Sequence, residues 1–180
     1  MVLALEGIKV VDVSQVAAVP MAARHLADFG ADVIHVENPT TGDSWRVFQA
    51  GVSGTGTGSG APSEINYNWE NFNRNKKSVT IDLSREGGRD IVYRMVEKAD
   101  VFLTNLRLRE REKFGLEYDT LSRLNPRLIY GSLTGWGKQG PDRNAPAYDS
   151  LAYWARAGLG YLYAVLVCLP LLMADLSETM

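Results

Sequence analysis

Apolar and polar positions along the chain switch repeatedly between a strand period and a helix period. Ile8-Lys-Val-Val-Asp-Val-Ser14 reads as a strand, Met21 to Gly30 as a helix, and Ala31-Asp-Val-Ile-His-Val-Glu-Asn38 as a second, parallel strand. Pro20 suits the first helical turn, where its missing N–H costs nothing, and Gly30 stands where the helix should stop. A second unit repeats the order. Ser78-Val-Thr-Ile-Asp-Leu83 alternates as a strand, Ser84 is placed to cap a helix from Arg85 to about Lys98, and Ala99-Asp-Val-Phe-Leu-Thr-Asn105 returns as a strand. Leu106 to Lys113 predicts a short basic helix closed by Phe114-Gly-Leu. Tyr118 to Leu124 predicts another, ended by Asn125-Pro126, before a strand over Leu128-Ile-Tyr-Gly-Ser-Leu133. A glycine-punctuated loop then leads to a helix over Asp149 to Ala157. Strand-helix alternation throughout predicts an α/β, Rossmann-like three-layer fold with a mainly parallel sheet.

Two segments stand outside this pattern. Ala50-Gly-Val-Ser-Gly-Thr-Gly-Thr-Gly-Ser-Gly-Ala-Pro62 lies within a Gly/Ser/Thr stretch, residues 50–63, expected to be a flexible connector or a flap over a ligand. The expected domain occupies residues 1–160, and residues 161–180 form a divergent apolar C-terminal segment. The most apolar run here, Gly160 to Ala174, is shorter than the roughly 20 residues a bilayer span needs and contains Pro170, so a buried core element is the preferred reading.

Composition narrows the functional classes. The 180 residues are 46% hydrophobic and 22% charged, ordinary globular material. The 19 basic and 21 acidic residues give a net charge of -2, which provides no global field for nucleic acid or an anionic membrane. Neither is expected as a partner. The single cysteine, Cys168, excludes an internal disulfide framework, and without a secretory signal the cytoplasm is the default location. His25 and His35 lie inside a helix and a strand with no cysteine partner, so both read as structural and no metal is expected.

The first strand-to-helix turn, Ser14-Gln-Val-Ala-Ala-Val-Pro20, lacks the glycines of a dinucleotide fingerprint, which disfavours a nicotinamide site. It still lies at the carboxyl edge of a parallel sheet, where ligands of such sheets gather. Arg74, Lys76 and Lys77 precede one strand, while Arg107, Arg109, Arg111 and Lys113 follow the end of another. The second cluster could hold the phosphates of an adenosine-bearing cofactor or form a solvated helix face.

A series of blocks carries a more specific signal: Leu5-Glu-Gly-Ile-Lys-Val-Val-Asp-Val-Ser14, Ala27-Asp-Phe-Gly-Ala-Asp-Val-Ile-His-Val-Glu37, Gly42-Asp43, Asn73-Arg-Asn-Lys-Lys-Ser-Val-Thr-Ile-Asp-Leu83, Ala99 to Asn105, Asn125-Pro-Arg-Leu-Ile-Tyr130 and Gly135-Trp-Gly-Lys-Gln-Gly-Pro141. In this order they resemble the class III CoA-transferases, with the α-methylacyl-CoA racemases as relatives. The resemblance implies coenzyme A, bound as acyl-CoA, contacting Ala17, Ala18, Asn38, Ile81, Asp82, Leu83, Ser84, Asn105, Leu106, Arg107, Lys113, Pro146, Ala147, Tyr148 and Asp149. Asn38 and Lys113 stand where relatives often carry arginine, so phosphate pairing at Lys113 would be a point charge and not a bidentate fork.

The resemblance further implies an aspartate nucleophile, for which Ala174-Asp-Leu-Ser-Glu-Thr-Met180 supplies Asp175. The implied activity moves CoA between an acyl-CoA thioester and a small carboxylic acid through an aspartyl intermediate. Racemase relatives carry a histidine where this chain has Tyr148, a poor exchangeable base at neutral pH, which favours transferase. Full-length family members are expected to form homodimers and to have a second domain, which this chain is expected to lack. A catalytically incomplete CoA-binding fragment is therefore the alternative reading.

Overall fold

The computed structural model describes residues 2–46, 66–148 and 150–164. The Gly/Ser/Thr segment, Asp149, Cys168, Asp175 and the apolar run beyond residue 164 lie outside the described residues. The chain divides between Leu133 and Thr134 into two units.

The first unit is built on five parallel strands: β1 (Lys9–Val13), β2 (Asp32–Glu37), β3 (Lys77–Thr80), β4 (Val101–Thr104) and β5 (Ile129–Ser132). Their spatial order is β3-β2-β1-β4-β5. The helices are α1 (Ala18–Asp28), α2 (Tyr67–Asn73), α3 (Glu86–Val96), α4 (Leu108–Phe114) and α5 (Tyr118–Leu124). The α/β class, three layers and parallel sheet predicted from the residue pattern are present.

β1 is central, and its near-continuous valine sequence follows from burial on both faces. Val10 points to one face, where Val33, Ala23, Ala27 and Ala31 pack around it. The alanines of α1 bring that helix close to the sheet, and its buried residues Val19, Pro20, Ala23, Arg24 and Ala27 recur at helical spacing. Val11 and Val13 belong to the opposite face, under Val92 and Val96 of α3, Leu121 of α5, Leu116 and Phe102. Phe102 is fully buried and stacks on Tyr130 at 5.4 Å between ring centroids.

The helix ends obey local chemistry. Gly30, after α1, takes φ 101, and a side chain there would meet Leu3. Gly115 ends α4 in the left-handed conformation with φ 68. Ser84 does not cap α3: the N-cap position is Arg85, and the Ser84 hydroxyl donates to Asp82 instead. The polar sequence of α2 carries too weak a periodicity to predict a helix. Asn66 starts it by accepting from the Trp69 N–H and donating to the carbonyls of Trp45 and Arg46. Phe72 on this helix stacks against Trp45 at 5.4 Å.

The second unit contains a π-helical segment, Ser150–Ala155, in place of the α-helix expected there, and a helical stretch over 159–164. Within it Arg156 pairs with Asp142 at 2.8 Å and lies over the Trp136 ring. A Cβ on Gly135 would lie 2.0 Å from the Ala147 Cβ, so only glycine fits there. No described helix is long and apolar enough to cross a membrane.

Candidate functional site

From β1 the strand order runs through β2 and β3 on one side and through β4 and β5 on the other. The carboxyl ends of β1 and β4 therefore form a topological switch point, where adjacent connections diverge and leave a crevice. The loops there are tied together. Asn105, just after β4, accepts from the Gln15 N–H at 2.9 Å and donates to the Gln15 carbonyl at 2.6 Å. Leu106 is anchored by its N–H on Thr104 Oγ1, and Arg107 follows at the surface.

Ala17 and Ala18 begin α1 beside this crevice. Ala17 is the N-cap residue and supplies no side-chain cap, so the helix start is open to an anionic or carbonyl ligand. Ala18 is exposed, and its methyl group presents no steric barrier. Asn38 follows β2 and forms a turn, its Oδ1 accepting from the N–H groups of Thr40 and Thr41. Residues 81–84 follow β3. Ile81 and Leu83 pack with the core. Asp82 and Ser84 face outward, and hydrogen bonds from Ser84, with the Arg85 charge, hold the Asp82 carboxyl below its ordinary range. Four of the sequence-predicted CoA segments thus sit after the carboxyl ends of β1, β2, β3 and β4.

The basic residues separate into distinct roles. Arg74 pairs with Asp28 at 2.9 Å, Lys76 with Asp12 at 2.9 Å and Lys77 with Asp32 at 2.7 Å, so all three are engaged by carboxylates within the fold. Arg107 donates to Glu110 at 3.0 Å while its own N–H meets the same carboxylate. Lys113 is exposed in the last turn of α4, near the Phe114 ring. Arg111 is buried, with its Nη1 on the Tyr130 hydroxyl, and does not belong to a surface cluster. Of the residues that the family resemblance implies, Arg107 and Lys113 are the exposed cations that can meet phosphates. Tyr148 and Pro146 belong to the second unit: Tyr148 is exposed, Ala147 abuts Gly135, and the Pro146 carbonyl accepts from Trp136 Nε1.

Sequence reasoning missed a buried polar network between the sheet and α2. Asp12 and His35 are register partners on β1 and β2, and His35 Nδ1 lies 2.9 Å from Asp12 Oδ2. Lys76 and Ser14 also bond this carboxylate. Burial alone would raise the Asp12 pKa, but the His35 hydrogen bond and the His35 and Lys76 charges hold it below the ordinary value. Two strand positions further along β2, buried Glu37 meets Arg46 through both oxygens at 2.6 Å and accepts from Ser78. Asp43 Nα donates to Glu37 Oε2 at 3.1 Å. The legible signal was Asp12 and His35 interrupting valine-rich strands at inward positions; the partners come from loops that periodicity does not locate.

His25 uses Nδ1 against the Met21 carbonyl of its own helix. Among the described residues no group of three His, Cys, Asp or Glu could hold a metal ion. A groove of about 440 Å³, lined by Lys9, Asp32, Ile34, Ile91, Met95 and Lys98 among others, includes none of the sequence-predicted site residues.

An open parallel sheet whose strand order turns at β1 and β4 defines an α/β domain with a topological switch point. Residues 5–164 match CoA-transferase family III, and the chain belongs to that family. It is 38% identical over 158 residues to cinnamoyl-CoA:phenyllactate CoA-transferase of Clostridium sporogenes, covering 87% of this chain and 37% of that protein. Against succinate–glutarate CoA-transferase of Agrobacterium fabrum the identity is 41% over 145 residues, covering 81% and 36%. A solved CAIB/BAIF family protein from Brucella suis superposes with a TM-score of 0.75 at 36% identity, covering 88% of this chain and 40% of that one. The chain thus spans a little over a third of the length of these curated relatives.

Proposed function

We propose that this chain supplies the CoA-binding part of a CoA-transferase acting between an acyl-CoA and a small carboxylic acid. The observation that carries this reading is the switch-point crevice: Gln15 and Asn105 brace it, α1 opens beside it without a side-chain cap, and Arg107 follows at the surface. Nucleotide phosphates suit such a place because backbone N–H groups and a helix dipole meet negative charge there without being moved.

The chemistry assigned to Asp175 balances in four steps. Its carboxylate attacks the thioester carbonyl and expels CoA thiolate, leaving a mixed anhydride. The thiolate then attacks the aspartyl carbonyl, releasing the first acid and forming an aspartyl thioester. A second carboxylate displaces the thiolate to form a new anhydride. Finally the thiolate attacks the incoming acyl carbonyl, and the Asp175 carboxylate is regenerated. The names of the relatives include phenyllactate, succinate and glutarate, which supports a small organic acid as acceptor. A cytoplasmic location and homodimer assembly complete the proposal and rest on the family resemblance.

Label transfer from acyl-CoA to a free acid, abolished by Asp175→Asn while CoA binding persists, is the expected result. CoA retention in equilibrium dialysis with no label transfer would favour the reading of a CoA-binding module without transferase activity. Failure to retain CoA would sink both.

A further inference from the structure

The loop between β1 and α1 contains a backbone conformation that its residue disfavours. Val16 has φ 69, in the left-handed region, where a β-branched side chain is a marked outlier. Asn75 is the other described non-glycine residue with positive φ, at 65, and asparagine tolerates that region far better. Something must therefore hold Val16.

The holder is Asp43, a buried residue from the turn after β2. Its Oδ2 accepts from the Val16 N–H at 3.0 Å, and its Oδ1 accepts from the Trp45 N–H at 2.8 Å. Both oxygens are thus committed to backbone donors, a task that an asparagine amide cannot reproduce because one of its ends donates. Asp43 is fixed from behind by its own N–H on Glu37, and Glu37 is gripped by Arg46. His35 Nε2 lies 3.8 Å from Asp43 Oδ2. On the other side of the loop, Asn105 holds Gln15 independently.

We propose that Asp43 is a positioning residue that fixes Val16 in its left-handed conformation and so sets the start of α1, Ala17 and Ala18, for acyl-CoA. This inference rests on the CoA reading given above for its ligand, but not for the clamp itself. Asp43 need not touch CoA: it acts through the backbone of Val16.

The test uses the whole chain and two readouts. Amide hydrogen exchange at Val16, followed by NMR without CoA, is expected to accelerate at least tenfold in Asp43→Ala while Gln15, held by Asn105, changes little. CoA affinity in equilibrium dialysis is expected to fall about tenfold in the same variant. Adding Val16→Gly is expected to recover most of that affinity, because glycine adopts positive φ without a clamp. Should Asp43→Ala fail to fold, the similarly sized Asp43→Leu, which offers the Val16 N–H no acceptor, is read in the same way. Unchanged Val16 exchange, or affinity lost and not recovered by Val16→Gly, overturns the proposal. If the wild-type chain retains no CoA, the ligand reading fails, and the exchange data alone decide the clamp.

Discussion

Gly87 and Gly88 are neighbours in the first turn of α3, and adding the same methyl group to each is expected to have opposite effects. A Cβ on Gly87 would meet nothing within 4 Å. Alanine there reduces the entropy lost on folding and improves helix propensity, stabilising the protein by about 0.5–1 kcal/mol. A Cβ on Gly88 would lie 2.0 Å from the Asp82 carbonyl oxygen and 2.8 Å from its carbon, where ordinary contact begins near 3.4 Å. These are backbone atoms, so no rotamer change relieves the clash. Overpacking of this kind costs about 1–3 kcal/mol, which outweighs the propensity gain and leaves Gly88→Ala destabilised by about 1–2 kcal/mol. The displaced Asp82 belongs to the 81–84 segment after β3, so exchange of the Ser84 amide, now donated to Asp82 Oδ1, should also accelerate. Urea unfolding followed by circular dichroism measures both variants against the parent. Equal midpoints for Gly87→Ala and Gly88→Ala would show that α3 does not approach the Asp82 backbone as closely as the structure has it.

The Glu37 contact predicts a pH dependence of defined sign. Burial would raise its pKa, but hydrogen bonds from Arg46, Ser78 and the Asp43 N–H, with the Arg46 charge, lower it from 4.5 to about 2. A depressed folded-state value adds stability that is complete above the unfolded-state pKa and is lost as pH falls from about 5 towards 2. Because Arg46 is partly exposed, screening discounts that contribution to about 2 kcal/mol at neutral pH. Glu37→Gln should therefore be clearly less stable than the parent at pH 7, and the gap should narrow by pH 3; a gap independent of pH would refute the assignment. Arg111→Leu is expected to be neutral or stabilising by about 1 kcal/mol, because Arg111 Nε and Nη2 are buried without hydrogen-bond partners. Tyr130 keeps its own bond to the Leu116 carbonyl in that variant, and a loss above about 1 kcal/mol in thermal or urea unfolding would contradict this account.

The linear pattern of residues determined most of the first unit. The valine runs of β1 and β2, the helical spacing of α1 and α3, and the Asn125-Pro126 stop after α5 each follow from local sterics and from burial of one face, which a short window reveals. Ala17, Ala18, Asn38, Asn105 and residues 81–84 came from the family resemblance, and the structure ends β3 at Thr80, so that 81–84 follow the strand instead of completing it. Tertiary structure alone decided which of the charged residues remain available. Lys76, Arg74 and Arg111 look alike in sequence to Arg107 and Lys113, yet distant Asp12, Asp28 and Tyr130 engage the first three, whereas Arg107 pairs with Glu110 within its own helix turn and Lys113 is exposed. It also decided that Asp43 reaches Val16 across the chain and that Gly88 lies against Asp82. Periodicity reports whether a position faces inward, but an ion pair or a steric contact depends on which distant residue arrives at that position when the sheet closes.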